Sequence, residues 1–156
     1  MEARNLLATI TVDTLLDVSA RDGLISLREA IVATSNNAAN FDAPAGDANG
    51  DQIVFSPNLA GQTITLNSRL FDITDDLLIR GNNITIDAAQ NQRIFSVASS
   101  ELVGLSNIRL TGGRSEEGGA IRFSGSGTLR LTDVELFENS NAALRGPDPN
   151  IFDENA

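Results

Sequence analysis

The sequence contains no cysteine, histidine, tryptophan, tyrosine or lysine. Each absence removes a class of chemistry. Without cysteine there is no disulfide, no thiolate nucleophile and no cysteine-based zinc site. Without histidine the commonest general base and the commonest transition-metal ligand are both missing. Without lysine there is no Schiff-base amine. All 11 basic residues are arginines, so catalysis would have to run on carboxylate, hydroxyl and guanidinium groups. Long apolar runs are missing too. No stretch approaches the roughly 20 residues of a membrane span. Met1 to Ile10 has neither the basic start nor the apolar stretch of a secretory leader. The chain therefore reads as soluble, without direct membrane insertion. Any export would depend on a signal removed, carried elsewhere in a parent protein, or replaced by a route without a Sec leader.

What is present is acidic and aliphatic. The formal charge is −10 and the pI is near 4.3, which argues against nucleic acid and anionic membrane surfaces as partners. Hydrophobic residues make up 41% of the chain but aromatics only 4%, all phenylalanine. The core must then be Ile, Leu, Val and Ala with a few Phe, a set that suits a narrow, regularly layered interior. At 156 residues the length fits one domain.

The first segment, residues 1–38, holds a strand at Leu6–Val12 and one helix. Ser26 and Glu29 stand at the spacing of a capping box, in which the serine hydroxyl takes the N3 amide and the glutamate reaches back to the serine N–H. Leu27, Ala30, Ile31 and Thr34 then share a helical face, and Asn36-Asn37 ends it. Residues 39–52 are a loop rich in Gly, Pro, Asn and Asp. From residue 53 to 138 the chain breaks into short runs of alternating apolar and polar residues.

Those runs repeat. Leu77, Val103 and Leu129 recur every 26 residues, as do Ile79, Leu105 and Leu131. The pairs Phe95 and Ile121, Val97 and Phe123, Ile108 and Val134, and Leu110 and Leu136 keep the same interval. A sandwich of hairpins would alternate but would not hold one fixed period. A coil of that length accommodates three short strands and three turns, with matching apolar residues stacked about 4.8 Å apart. The expected fold is all-β: a short right-handed parallel β-helix, or solenoid, with one N-terminal capping α-helix. The stretch from Ile53 to Ile73 reads as a less regular first coil, because Phe71 and Ile73 precede Phe95 and Val97 by only 24 residues. Arg109 should pair with Glu135 on the next coil, and Arg80, Ser106 and Thr132 should form an outward column. Residues 139–156 read as a C-terminal cap and tail, where Pro147 and Pro149 would stop β-pairing.

The run Asp22-Gly23-Leu24-Ile25-Ser26-Leu27-Arg28-Glu29-Ala30-Ile31 resembles the Ser-Leu-Arg-Glu-Ala motif of bacterial surface and secreted β-helix proteins. Gly50–Phe55 resembles the short strand that follows that motif in the same proteins, and Ile73–Gly81, Ile108–Gly113 and Gly127–Thr132 resemble their coil strands. Members often carry Cys where this chain has Ile25. The resemblance covers roughly residues 9 to 141 and implies a pectin-lyase-like right-handed β-helix, usually part of a large exported protein, at the cell surface or outside the cell. It brings little about activity, because fold does not fix function.

One loop suggests a metal. Asp47, Asn49 and Asp51 place oxygen ligands at alternate residues around Gly50, as a calcium loop does for a hard cation that needs several oxygens at about 2.4 Å. Asp42 could add a carboxylate. Equally, such residues make surface turns, and Asp51 could cap a strand. Calcium is the only cofactor the sequence points to. Polysaccharide cleavage, suggested by the fold, would need converging carboxylates. Asp75-Asp76 is the nearest candidate, yet strand neighbours face opposite ways, and Asp75 reads as a turn residue. Sugar binding is weakened by the lack of Trp and Tyr. The expectation is a non-catalytic structural or adhesive module, assembling end to end or with other surface or matrix components. The alternative is a polysaccharide-binding or lyase-like β-helix.

Overall fold

The computed structural model describes residues 7–140 in full and, beyond them, the backbone of strands Leu144–Arg145 and Ile151–Asp153. The alternating runs form ten strands: β1 (Ala8–Val12), β2 (Asp51–Phe55), β3 (Thr63–Thr65), β4 (Leu77–Asp87), β5 (Phe95–Val97), β6 (Leu102–Thr111), β7 (Ile121–Phe123), β8 (Thr128–Phe137), β9 (Leu144–Arg145) and β10 (Ile151–Asp153). One helix, α1 (Leu27–Asn36), and a 3₁₀ turn at Pro57–Leu59 complete the described elements.

All ladders between these strands are parallel. The large sheet runs β1-β2-β4-β6-β8-β10, with β3 also on β4, and the small sheet runs β5-β7-β9. From β4 onward the chain alternates between the two sheets, and each return advances it by one rung. This is a short β-solenoid, all-β apart from α1.

The rungs stack like on like. Ile10, Ile53, Ile79, Leu105 and Leu131 form one inward column, each at most 1% exposed. Leu77, Val103 and Leu129 form a second, and Ile84, Ile108 and Val134 a third. Phe95 on Ile121 and Val97 on Phe123 line the opposite wall. Each fully buried branched side chain contributes roughly 1.5–3 kcal/mol, and β-branched residues suit the pleat. The long strands β4, β6 and β8 turn a corner partway along. In β6 and β8 the corner is a single left-handed residue, Asn107 at φ 52° and Asp133 at φ 51°. These are the residue types that tolerate that conformation best after glycine. In β4 the corner holds Gly81-Asn82-Asn83, and the register shifts there.

One sequence expectation is sharpened and one changes. The regular period reaches back to β2, because Ile53 lies opposite Ile79; the rest of that coil is the less regular one expected, with Ile64 opposite Ile86 and Ile73 bridged to Val97 at shorter intervals. The preceding rung pairs Ile10 with Ile53, since α1 and its loop are inserted between them. α1 packs against β1 and β2 and covers the N-terminal rungs. Pro147 and Pro149 lie outside the described residues, but pairing does not stop at them. β9 continues the small sheet before them, and β10 continues the large sheet after them, with Ile151 opposite Leu129. A proline lacks only its own N–H, so prolines between strands leave the next rung free to pair.

Candidate functional site

Every residue from Ser26 to Ala30 is buried. Ser26 is the N-cap of α1: its Oγ accepts from Glu29 N at 3.1 Å and donates to Val18 O. The Glu29 carboxylate accepts from Ser26 N at 3.3 Å and from Ala20 N at 2.7 Å. Leu27 and Ala30 enter the core. Arg28 donates from Nε and Nη2 to the two carboxylate oxygens of Asp17, at 2.9 and 2.7 Å. It also donates to Arg69 O and Ser68 O, while Asp17 accepts further from Asn67 N. One five-residue run thus ties the loop before the helix, the helix, and the loop at residues 67–69 into a single clamp. Its polar groups hold backbone and one another.

The capping serine gives a modest test. Ser26→Ala should cost about 1–2 kcal/mol, read as a fall in melting temperature of roughly 2–8 °C. A shift under 1 °C would remove the cap from the stabilising clamp.

The acidic loop is folded on itself. Asp47 Oδ1 accepts from Asn49 N at 2.8 Å and Asn49 Nδ2 at 2.9 Å, while Gly50 N donates to Asp47 O. Asp51 is the first residue of β2. Its N–H donates to Asp76 O, and its Oδ1 accepts from Asp47 N at 2.7 Å. Asp51 is 1% exposed, and its Oδ2 has no hydrogen-bond partner among the described residues. That oxygen is packed against Gly46, where an added Cβ would come within 2.5 Å of it. Burial pushes the Asp51 carboxyl up to about 6, the hydrogen bond from Asp47 opposes this, and the charges of Asp75, Asp47 and Asp76 add to it.

Asp42 is committed elsewhere, since its Oδ2 accepts from Asp22 N and Gly23 N and so fastens that turn. Asp75 is a turn residue: its Oδ1 accepts from Asp76 N and its Oδ2 from Asn37 Nδ2. Asp76 lies beside Gly50, and its carboxyl is raised by burial, then by the charges of Glu101 and Asp75. The folded chain therefore gathers acids from successive coils at one corner, which linear spacing did not reveal. Among the described residues no three His, Cys, Asp or Glu side chains are disposed to hold one metal ion. The Asp47, Asn49 and Asp51 groups face their own loop.

Sequence reasoning also missed Arg93. It is buried, and its guanidinium donates to Glu117 O, Gly118 O and Ser115 Oγ, pinning the corner that carries Glu116 and Glu117. Its partners are mostly backbone carbonyls, which leave no mark in a sequence. The charged column did follow the period: Arg109 Nε donates to Glu135 Oε2 at 2.9 Å, with both side chains about half exposed.

No family model matches this chain, and no curated protein or solved structure matches it significantly.

Proposed function

We propose that this chain is a non-catalytic structural or adhesive β-helix module of an exported or cell-surface protein, able to associate end to end. The observation that carries the reading is the uninterrupted parallel ladder from β1 to β10. Among the described residues no strand pairs with the outer edge of β10, and an unpaired strand edge is a template for another chain, while α1 covers the first rungs at the other end. The N-terminal cap adds apolar surface. Leu16, Leu24 and Phe41, three of the five exposed large hydrophobic side chains among the described residues, lie in its loops. Contacts between unlike ends are heterologous and can run into filaments. The resemblance of residues 22–31 to exported β-helix proteins supports the setting, and the engagement of the polar groups of Ser26, Arg28 and Glu29 in the clamp supports the non-catalytic part.

Light scattering coupled to size exclusion, over a concentration series, is expected to show growing oligomers, with short fibres in negative stain. Glutamate at Leu16, Leu24 and Phe41 together should return the chain to monomer. A strict monomer at every concentration would overturn the end-to-end reading. Turnover of pectin or alginate would overturn the non-catalytic one.

A further inference from the structure

Asn49-Gly50 is the only Asn-Gly step in the chain. Asn49 is exposed, in the turn that delivers the chain into β2. Such a step carries its own reaction. The main-chain nitrogen of the glycine attacks the amide carbon of the asparagine side chain: a C–N bond forms, ammonia leaves, and a five-membered succinimide results. Glycine favours the attack because it places no side chain over its nitrogen, and because nucleophile and electrophile belong to one short segment. Water then opens the ring at either carbonyl. The products are aspartate and isoaspartate, and in the second the main chain runs through the former side chain. Water is the only co-reactant.

The fold separates Asn49 from the two asparagines that precede serine, Asn67 and Asn139. Their amides are tied to backbone far along the chain. Asn67 Nδ2 donates to Asp17 O at 3.0 Å. Asn139 Nδ2 donates to Leu110 O at 2.9 Å, and its Oδ1 accepts from Gly113 N at 2.7 Å. The Asn49 amide is held within its own turn. Asp47 Oδ1 accepts from Asn49 N at 2.8 Å and Asn49 Nδ2 at 2.9 Å, and Asp47 O accepts from Gly50 N at 3.0 Å. One residue thus restrains both the reacting amide and the attacking nitrogen. Releasing them takes the opening of a single exposed turn, a fluctuation far less costly than unfolding a coil.

We infer that Asn49 is a site of spontaneous deamidation, that Asp47 is the guard that sets its rate, and that the product loosens the junction between the loop and β2. In the product a carboxylate replaces the amide that donated to Asp47 Oδ1, so an attraction becomes a repulsion between like charges. Isoaspartate also inserts a main-chain atom directly before Gly50 and Asp51. Asp51 opens the rung by pairing with Ala8 on one side and Leu77 on the other. Gly50 is closely fitted there, since a Cβ on it would meet Leu7 Cδ2 at 3.0 Å and Asp76 Oδ2 at 3.2 Å. A lengthened turn cannot keep both that fit and the bond from Gly50 N to Asp47 O.

The test keeps the purified full chain at pH 8 and 37 °C and samples it by peptide mapping, enzymatic isoaspartate labelling and thermal melting. Asn49 should convert first, chiefly to isoaspartate, with Asn67 and Asn139 slower by roughly tenfold or more. Asn49→Gln should end conversion at this position. Asp47→Ala removes the guarding carboxylate but keeps the main-chain N–H that serves Asp51 Oδ1. It should speed conversion at Asn49 roughly fivefold and leave Asn67 and Asn139 unchanged, which separates release of the turn from general unfolding. Aged protein should melt lower than fresh protein, and lower than freshly made Asn49→Asp, which lacks the added main-chain atom. No conversion at Asn49 over two months, or faster conversion at Asn67 or Asn139, would overturn the site. An equal or slower rate in Asp47→Ala would overturn the guard, and an unchanged melting temperature in fully converted protein would overturn the loosening.

Discussion

Arg28→Met should lower stability by about 3–5 kcal/mol, the usual cost of stranding one partner of a buried ion pair. For a chain of this size that is a fall of roughly 6–20 °C in melting temperature. The reason lies in what is left behind. The side chain of Asp17 is 1% exposed and that of Arg28 10%, so water cannot replace the guanidinium. Asp17 would keep only the Asn67 amide, and the carbonyls of Ser68 and Arg69 would lose their donor. Methionine fills much of the volume, so the loss reports charge and hydrogen bonding rather than a cavity. Adding Asp17→Asn to the same chain should recover part of the deficit, because the stranded charge is gone. A double-mutant cycle by urea denaturation measures that coupling. Equal and additive losses would show that the two side chains act separately.

Asp51→Asn should act in the opposite direction at neutral pH. The Asp51 carboxyl is ordinarily near 3.8 and is raised to about 6 in the fold, chiefly by burial. Below about pH 4 it is protonated both folded and unfolded and has no linkage effect. Between about pH 4 and 6 the unfolded chain releases its proton while the folded chain still holds it, so stability falls as pH rises. Above about pH 6 the loss is complete, at up to roughly 3 kcal/mol. Asparagine cannot ionise. Its Oδ1 can still accept from Asp47 N, and its uncharged amide would stand where the unpartnered Oδ2 lies against Gly46. The variant is expected to melt roughly 4–10 °C higher than the parent at pH 7.5 in EDTA, with the gap closing by pH 4. A lower melting temperature at pH 7.5 would mean that the charged carboxylate has a favourable partner. A melting temperature that rises with millimolar calcium in the parent and not in the variant would identify that partner as the calcium that the spacing of Asp47, Asn49 and Asp51 suggests.

The two residues show where reading a sequence succeeds. Ser26 and Glu29 are three residues apart, and helix geometry alone makes them reciprocal partners. Arg28 sits in the same run, but its partners are Asp17 and two carbonyls about 40 residues away. Nothing in the spacing points to them. Asp51 stood out as a loop carboxylate, while its burial depends on the packing of Gly46 over it and on Asp75 and Asp76 arriving from the next coil.

The chain by itself determined the period, the inward columns and the helix start. These depend on local patterning and on one repeated length, and a solenoid converts sequence repetition directly into spatial neighbours. Its missing residue types likewise set the chemistry that is out of reach. Only the tertiary structure decided which polar groups are buried, which arginines are paired, and that the ladder continues through β10. Burial and pairing are properties of what stacks above and below, and a backbone carbonyl carries no signature until the coils close over it.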